Sequence, residues 1–194
     1  MDKFKFGLFD IFVYTLPGFI VLVSLYFLCL DIDLTIVGII QKSMNTLDKL
    51  SFNSFLLVFV CSYILGLVLD YFGYNYFNLV GKRIWKKALK GKEKSLSKME
   101  NKYVLVRHFS KENFIYLELW NASRGMSFNL SLAFIILGLS ILIKIIEFSY
   151  FNSDWIIAII GCIIFSFVML RRAVTYHKWS HNTLEKTVDK LKLK

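Results

Sequence analysis

Residues 81–127, GKRIWKKALKGKEKSLSKMENKYVLVRHFSKENFIYLELWNASRGMS, form a long polar segment set between two pairs of apolar runs. The segment carries twelve Lys and Arg residues against four acids, Glu93, Glu100, Glu112 and Glu118. The runs on either side are long enough to cross a bilayer, so the basic segment reads as the cap of an integral membrane protein. The expected class is all-α, with four transmembrane helices and a small basic helical cytosolic cap. Its expected parts are a first helix pair with a short outer loop (1–80), the basic cytosolic loop (81–127), a second helix pair (128–170) and a cytosolic C-terminal helix (171–194).

Composition agrees with this class. A hydrophobic share of 56% and an aromatic share of 17% lie above those of soluble domains, and a single Pro leaves long helices uninterrupted. Cys29, Cys61 and Cys162 each fall within an apolar run, without Cys-x-x-Cys or Cys/His ligand spacing. Neither a disulfide framework nor a metal site is expected, and no glycine-rich phosphate loop points to a cofactor. A net charge of +10 would suggest nucleic acid in a soluble protein. Here the charge is segregated by membrane side, so nucleic acid is a possible partner but not a required one.

The first apolar run, Phe6–Leu30, can cross about 30 Å of hydrocarbon at a rise of about 1.5 Å per residue. It has the basic start of a signal peptide, but its length and the lack of a small-residue cleavage site predict that it stays attached. Pro17-Gly18 predicts a kink or short break there, and Asp10 lies near the inner end. Leu34–Ile40 is too short to span and is expected, with Gln41–Ser51, to form an outer interfacial helix and loop. The second span is Phe52–Phe72, with Asp70 near its inner end, followed by a tyrosine-rich belt. The third is Phe128–Ile146, where Lys144 and Glu147 can pair at i,i+3. A polar turn, Asn152–Trp155, leads to the fourth span, Ile156–Leu170, making these two helices antiparallel neighbours. Gly138, Ser140, Gly161 and Ser166 offer points of close approach.

Within the basic segment, Lys82, Lys86 and Lys90 share one helical face, and Val80, Ile84 and Ala88 another, which predicts an amphipathic helix on the inner membrane surface ending near Gly91. Lys82, Arg83, Lys86, Lys87, Lys90 and Arg124 make up the expected basic cytosolic surface. Lys92–Asn101 reads as a linker, and Tyr103–Phe109 fits a strand or a helical turn equally well. Ser110 is a suitable N-cap for a helix running towards Arg124, with Glu112 in its first turn. Orientation follows from charge: this loop holds twelve Lys/Arg and the tail Arg171–Lys194 seven, whereas the outer loops carry only Lys42 and Lys49. Both termini and the cap are expected on the cytoplasmic side.

The fourth span has no stop signal and should continue as helix. Leu170, Val174, His177, His181, Leu184, Val188 and Leu191 alternate spacings of four and three, a heptad seam. The seam can bury against the central loop or against copies of itself. We expect the latter, with Val174, His177, His181, Leu184 and Val188 mediating a homo-oligomer. His177 and His181 lie one turn apart without an obvious third metal ligand nearby. Arg172 and His177 also match the Arg-x-x-x-x-His spacing of HEPN ribonucleases and are weak catalytic candidates; an enzyme is not expected.

Four motifs resemble a family. They are Phe9-Asp-Ile-Phe-Val-Tyr-Thr-Leu-Pro-Gly18, Tyr63-Ile-Leu-Gly66, Arg124-Gly-Met-Ser-Phe-Asn-Leu-Ser-Leu-Ala133, and Arg172 with Tyr176, Trp179 and Leu184. In layout and in these motifs the chain resembles small four-span bacterial membrane proteins of anti-phage defence loci, such as the accessory membrane proteins of type VI-B CRISPR systems and the membrane subunit of the Kiwa system. The resemblance implies a component of antiviral defence that assembles in the bacterial inner membrane and either forms an oligomeric pore or senses membrane disturbance and relays it to a cytosolic effector. In the pore version Arg172 and His177 would correspond to a degenerate HEPN-like motif.

Overall fold

The computed structural model describes residues 2–29, 51–86, 96–148 and 153–191, plus isolated positions 38, 41 and 45, with side chains placed for 11–29, 51–86, 101–147 and 153–191. Helix α1 covers Asp2–Leu28 and α2 covers Phe52–Tyr76, the latter continued by a π-helical turn, Phe77–Gly81, and a last helical turn, Lys82–Ile84. Helices α3 (Leu96–Phe109), α4 (Lys111–Phe148) and α5 (Ser153–Lys190) complete the chain. The protein is all-helical among the described residues, and four of its helices are long and apolar enough to cross a membrane. It is a multi-pass membrane protein.

Lipid offers no partner to a backbone N–H or C=O, so the spanning segments satisfy these groups within their own helices. Their outward faces stay apolar: Leu57 and Val68 on α2, and Ile157 and Ile163 on α5, are each more than half exposed. The largest interface joins α4 to α5, followed by α1 with α2 and α1 with α4. Helix α4 is thus the axis of the molecule, touching α1, α2, α3 and α5.

Three apolar clusters are strung along the α4–α5 pair. At the hairpin end are Phe27, Ile141, Ile145, Trp155 and Cys162, with the Phe27 and Trp155 rings edge to face at 5.4 Å. Phe77, Phe128, Leu170, Ala173 and Val174 form the second, where the apolar runs give way to charge. The third, Val106, Leu117, Leu184 and Val188, lies wholly in the cap. Lys144 and Glu147 pair at 3.1 Å, as their spacing suggested.

Several boundaries differ from the sequence reading. Helix α1 runs unbroken through Pro17; Pro17 and Gly18 are both buried, and the glycine serves close packing rather than a break. A Cβ on Gly18 would strike the Ser62 carbonyl of α2, and one on Gly66 the Tyr14 carbonyl of α1. Residues 87–90 of the expected surface helix lie outside the described residues; its first part is the end of α2, reaching Ile84, and Gly81 lies inside it. A Cβ there would meet Phe77 at 2.9 Å and Leu170 at 3.2 Å, so the glycine lets α2 end against α5. Part of the expected linker, from Leu96, belongs to α3, and Tyr103–Phe109 is helical.

The largest difference concerns α4, which begins beside Ser110 with Glu112 in its first turn, as expected, but continues through Gly125 into the third span without interruption. Likewise Ser153–Trp155 already belongs to α5 rather than to a turn. Each of these helices has 38 residues. At about 1.5 Å per residue that is roughly 57 Å, nearly twice the hydrocarbon thickness. Apart from Gly38, Gln41, Asn45 and Ser51, residues 34–51 lie outside the described residues.

The glycine contacts are open to test. Gly18→Ala and Gly66→Ala should each lower the unfolding midpoint in detergent, by an amount equivalent to about 1–3 kcal/mol, because backbone must move to admit the methyl group. Gly161→Ala, which meets no atom within 4 Å, should leave the midpoint unchanged or slightly higher. Equal effects at all three positions would exclude close approach as the role of Gly18 and Gly66.

Candidate coupling site between the spans and the cap

Asp70, Arg124, Asn129 and His177 come together where α2, α4 and α5 leave the apolar layer. Asn129, fully buried on α4, donates from Nδ2 to Asp70 Oδ1 on α2 at 2.8 Å. Gly73, three residues beyond Asp70, makes this approach possible, since a Cβ there would strike Asn129 Oδ1 and lie 2.8 Å from the Phe128 ring. A hydrogen bond to a carboxylate is among the stronger ones in a dry setting. Asn129 Oδ1 has no hydrogen-bond partner.

One turn before this pair along α4 lies Arg124, whose Nη1 meets His177 Nδ1 of α5 at 3.0 Å. Guanidinium groups only donate, so Nδ1 must accept, and His177 is held as the neutral ring protonated at Nε2. The imidazole also packs edge-on against Phe77 at 5.9 Å. Asp70, Tyr74 and Tyr103 are the electrostatic neighbours of Arg124.

A second amide ties the cap together. Asn121 on α4 donates to the Tyr103 hydroxyl of α3 at 3.1 Å and accepts from Ser180 of α5 at 3.0 Å. Burial pushes the Tyr103 phenol above its usual range, partly opposed by the bond from Asn121, so the ring stays protonated at neutral pH. Lys102 and Glu185 add an α3–α5 ion pair at 2.7 Å. Deeper in the membrane, Ser131 donates to the Ser166 carbonyl at 2.8 Å, joining α4 to α5. Buried Ser140 donates to the Ile136 carbonyl of its own helix, and Gly138 faces Cys162.

This arrangement reassigns several residues singled out from the sequence. Arg124 is not part of a basic surface: it sits half-buried among α2, α3 and α5, with its Nε enclosed and without a hydrogen-bond partner. Arg83 and Lys86 are exposed and Lys82 is half-buried, while Lys87 and Lys90 lie outside the described residues. Asp70 is in contact with Asn129; the side chain of Asp10 lies outside the described part.

The heptad seam is occupied within the chain. Val174, His181, Leu184 and Val188 are at most 5% exposed, packed in the chain's own cap, and His177 is turned to Arg124 and Phe77. They are not open to a second copy in this conformation. Arg172 and His177 do not converge either. Five residues of helix separate them by about 140°, and Arg172 is exposed and bonded through Nε to the Tyr176 hydroxyl at 2.8 Å.

Sequence reading missed Asn121 and Asn129. Asn129 could have been found as an amide just inside an otherwise apolar helix, where a polar group in lipid needs a partner. Asn121 carried no such signal, because its surroundings read as a solvated loop.

A double-mutant cycle measures the α2–α4 bond. Asn129→Leu should destabilise the protein by about 1–3 kcal/mol by leaving the Asp70 carboxylate unanswered, and Asp70→Leu with Asn129→Leu should cost less than the sum of the single changes. Strict additivity of the midpoints in detergent would mean the two side chains do not interact. Comparison of this chain with models of protein families, with curated proteins and with solved structures finds no match.

Proposed function

We propose that this chain is a membrane component of prokaryotic antiviral defence that senses disturbance of the bilayer and relays it to a cytosolic effector. The observation that carries the reading is the continuity of α4 and α5 from span to cap. A helix that crosses the interface without a hinge transmits tilt or rotation as a rigid lever. A flexible linker at residues 110–127 would have absorbed it.

The polar layer supports the same reading. Bonds from α2 to α4 (Asp70–Asn129), from α4 to α5 (Arg124–His177) and from α3 to both (Tyr103–Asn121, Lys102–Glu185) mean that a shift between spans must be felt in the cap. A change of bilayer thickness acts on such spans through their tilt, at a modest cost per ångström of mismatch. The defence context comes from the motifs around Pro17-Gly18, Gly66, Arg124 and Arg172, and the cytosolic side from the excess of Lys and Arg in the cap and tail. Exposed Arg83 and Lys86 offer charge for an acidic effector surface.

A pore would require an exposed polar stripe along the spans. The polar groups Ser62, Ser131, Ser140 and Ser166 are instead buried between helices, and the outward faces are apolar. Self-assembly, where it occurs, would use those apolar faces of α2 and α5.

Two experiments test the proposal. In proteoliposomes loaded with a self-quenched dye, leakage should match that of protein-free vesicles, while a fluorophore on Val104→Cys in a cysteine-free background should change its emission when short-chain lipids thin the bilayer. Leakage rising with protein content, together with a silent cap label, would make the protein a pore instead. In intact cells, a cysteine replacing Arg83 should react with a membrane-impermeant thiol reagent only after permeabilisation. Labelling without permeabilisation would turn the cap to the exterior and remove the cytosolic effector.

A further inference from the structure

Beyond this relay, and independent of it, the structure assigns a binding site for the headgroup of an anionic phospholipid to the recess on α5 where the fourth span meets the interface. The recess has a volume of about 330 Å³ and is lined by Val168, Arg171, Arg172, Thr175, Tyr176 and Trp179. That is within the range of small-ligand sites. It holds a phosphate and its alcohol but not the acyl chains.

The recess is built rather than incidental. Tyr176 stacks on Trp120 of α4 at 5.8 Å, and Trp179 meets Trp120 at 4.9 Å and Tyr176 at 5.5 Å, so the two rings that line the recess are backed by a third from another helix. Against these rings the Arg172 guanidinium is anchored twice, by its Nε bond to the Tyr176 hydroxyl at 2.8 Å and by lying 5.5 Å above the same ring. With Nε engaged, the two terminal nitrogens of Arg172, a residue that lines the recess, are left as the donors that match phosphate oxygens. The Tyr176 oxygen, having accepted from Arg172, retains its own proton to donate. Arg171 adds a second positive charge at the same rim, and among the described residues neither arginine pairs with a carboxylate.

Position identifies the ligand as lipid rather than a dissolved anion. Directly below the arginines the same helix face carries Val168 and, four residues earlier, Ile164, respectively 48% and 56% exposed. Acyl chains descending from a phosphate held by Arg171 and Arg172 would lie along these side chains. Interfacial Trp and Tyr and paired basic residues are the groups that recognise anionic lipid at this depth.

The full-length protein in mild detergent can be titrated with phosphatidylglycerol and with phosphatidylcholine of the same chains, and bound lipid read by native mass spectrometry. Phosphatidylglycerol should bind at least tenfold more tightly than phosphatidylcholine. Arg171→Gln should weaken it about fivefold, and Arg171→Gln with Arg172→Gln about thirtyfold, as expected for roughly one unit of interfacial charge per residue. Lys190→Gln, an exposed cation about 27 Å beyond Arg172 along the same helix, should leave binding unchanged. Equal affinity of the double variant and the native protein would overturn the assignment. So would displacement of the lipid by inorganic phosphate at a similar concentration, which would mean a free-anion site, or a preference for an RNA oligonucleotide over lipid. If the double variant fails to fold, Arg171→Gln alone decides, because unchanged affinity there is equally fatal. No effector or membrane disturbance enters the measurement, so its failure is distinct from failure of the relay.

Discussion

Hydrocarbon cannot satisfy a backbone hydrogen bond, and in α4 and α5 the helix that this rule enforces inside the bilayer continues without interruption into the polar region beyond. Each spans 38 residues, and because no proline or turn intervenes at the interface, the cap is made from the same rods as the membrane domain. The rest of the fold follows from this. Helix α3 packs on the projecting ends of α4 and α5, where Val106 meets Leu117, Leu184 and Val188. The end of α2 finds Leu170 at the point where α5 leaves the lipid.

Two kinds of contact hold the spans together, and neither depends on the hydrophobic effect, which contributes little between helices already dissolved in lipid. Where glycine faces backbone, as at Gly18 against Ser62 and Gly66 against Tyr14, dispersion contacts gain from close approach. Where serine or asparagine is buried, as at Ser131 and Asn129, the gain comes from hydrogen bonds that have no water to compete with them. Asn129 belongs to both kinds, since its bond to Asp70 needs the space that Gly73 leaves open.

The cap separates its cations into two populations. Arg124 and Lys102 are engaged between helices, with His177 and Glu185 respectively, and act as internal ties. Arg83, Lys86, Arg171 and Arg172 remain exposed at the rim and set the electrostatic character that a membrane surface or an acidic partner meets. Counting Lys and Arg along the chain supports an orientation but cannot sort them in this way, because both populations look alike in sequence.

Hydrophobic run length was enough to specify four long apolar helices, and spacing within one helix the continuation of the fourth into the tail and the Lys144–Glu147 pair. These depend on local composition and on spacings within one helix, which a sequence displays directly. What covers each face was decided by the tertiary structure. The seam from Val174 to Val188 has the spacing of a coiled coil, and its periodicity says only that something apolar must cover it; the partner is supplied by α3 and α4, more than fifty residues earlier in the chain for the contacts of Leu184 with Leu117 and Val106. Pro17-Gly18 carries the chemistry of a break, yet packing against Ser62 and Gly66 makes it a contact. Arg124 reads as surface charge until α2 and α5 close over it. In each case the residue type states a need, and only the neighbours brought by folding determine how that need is met.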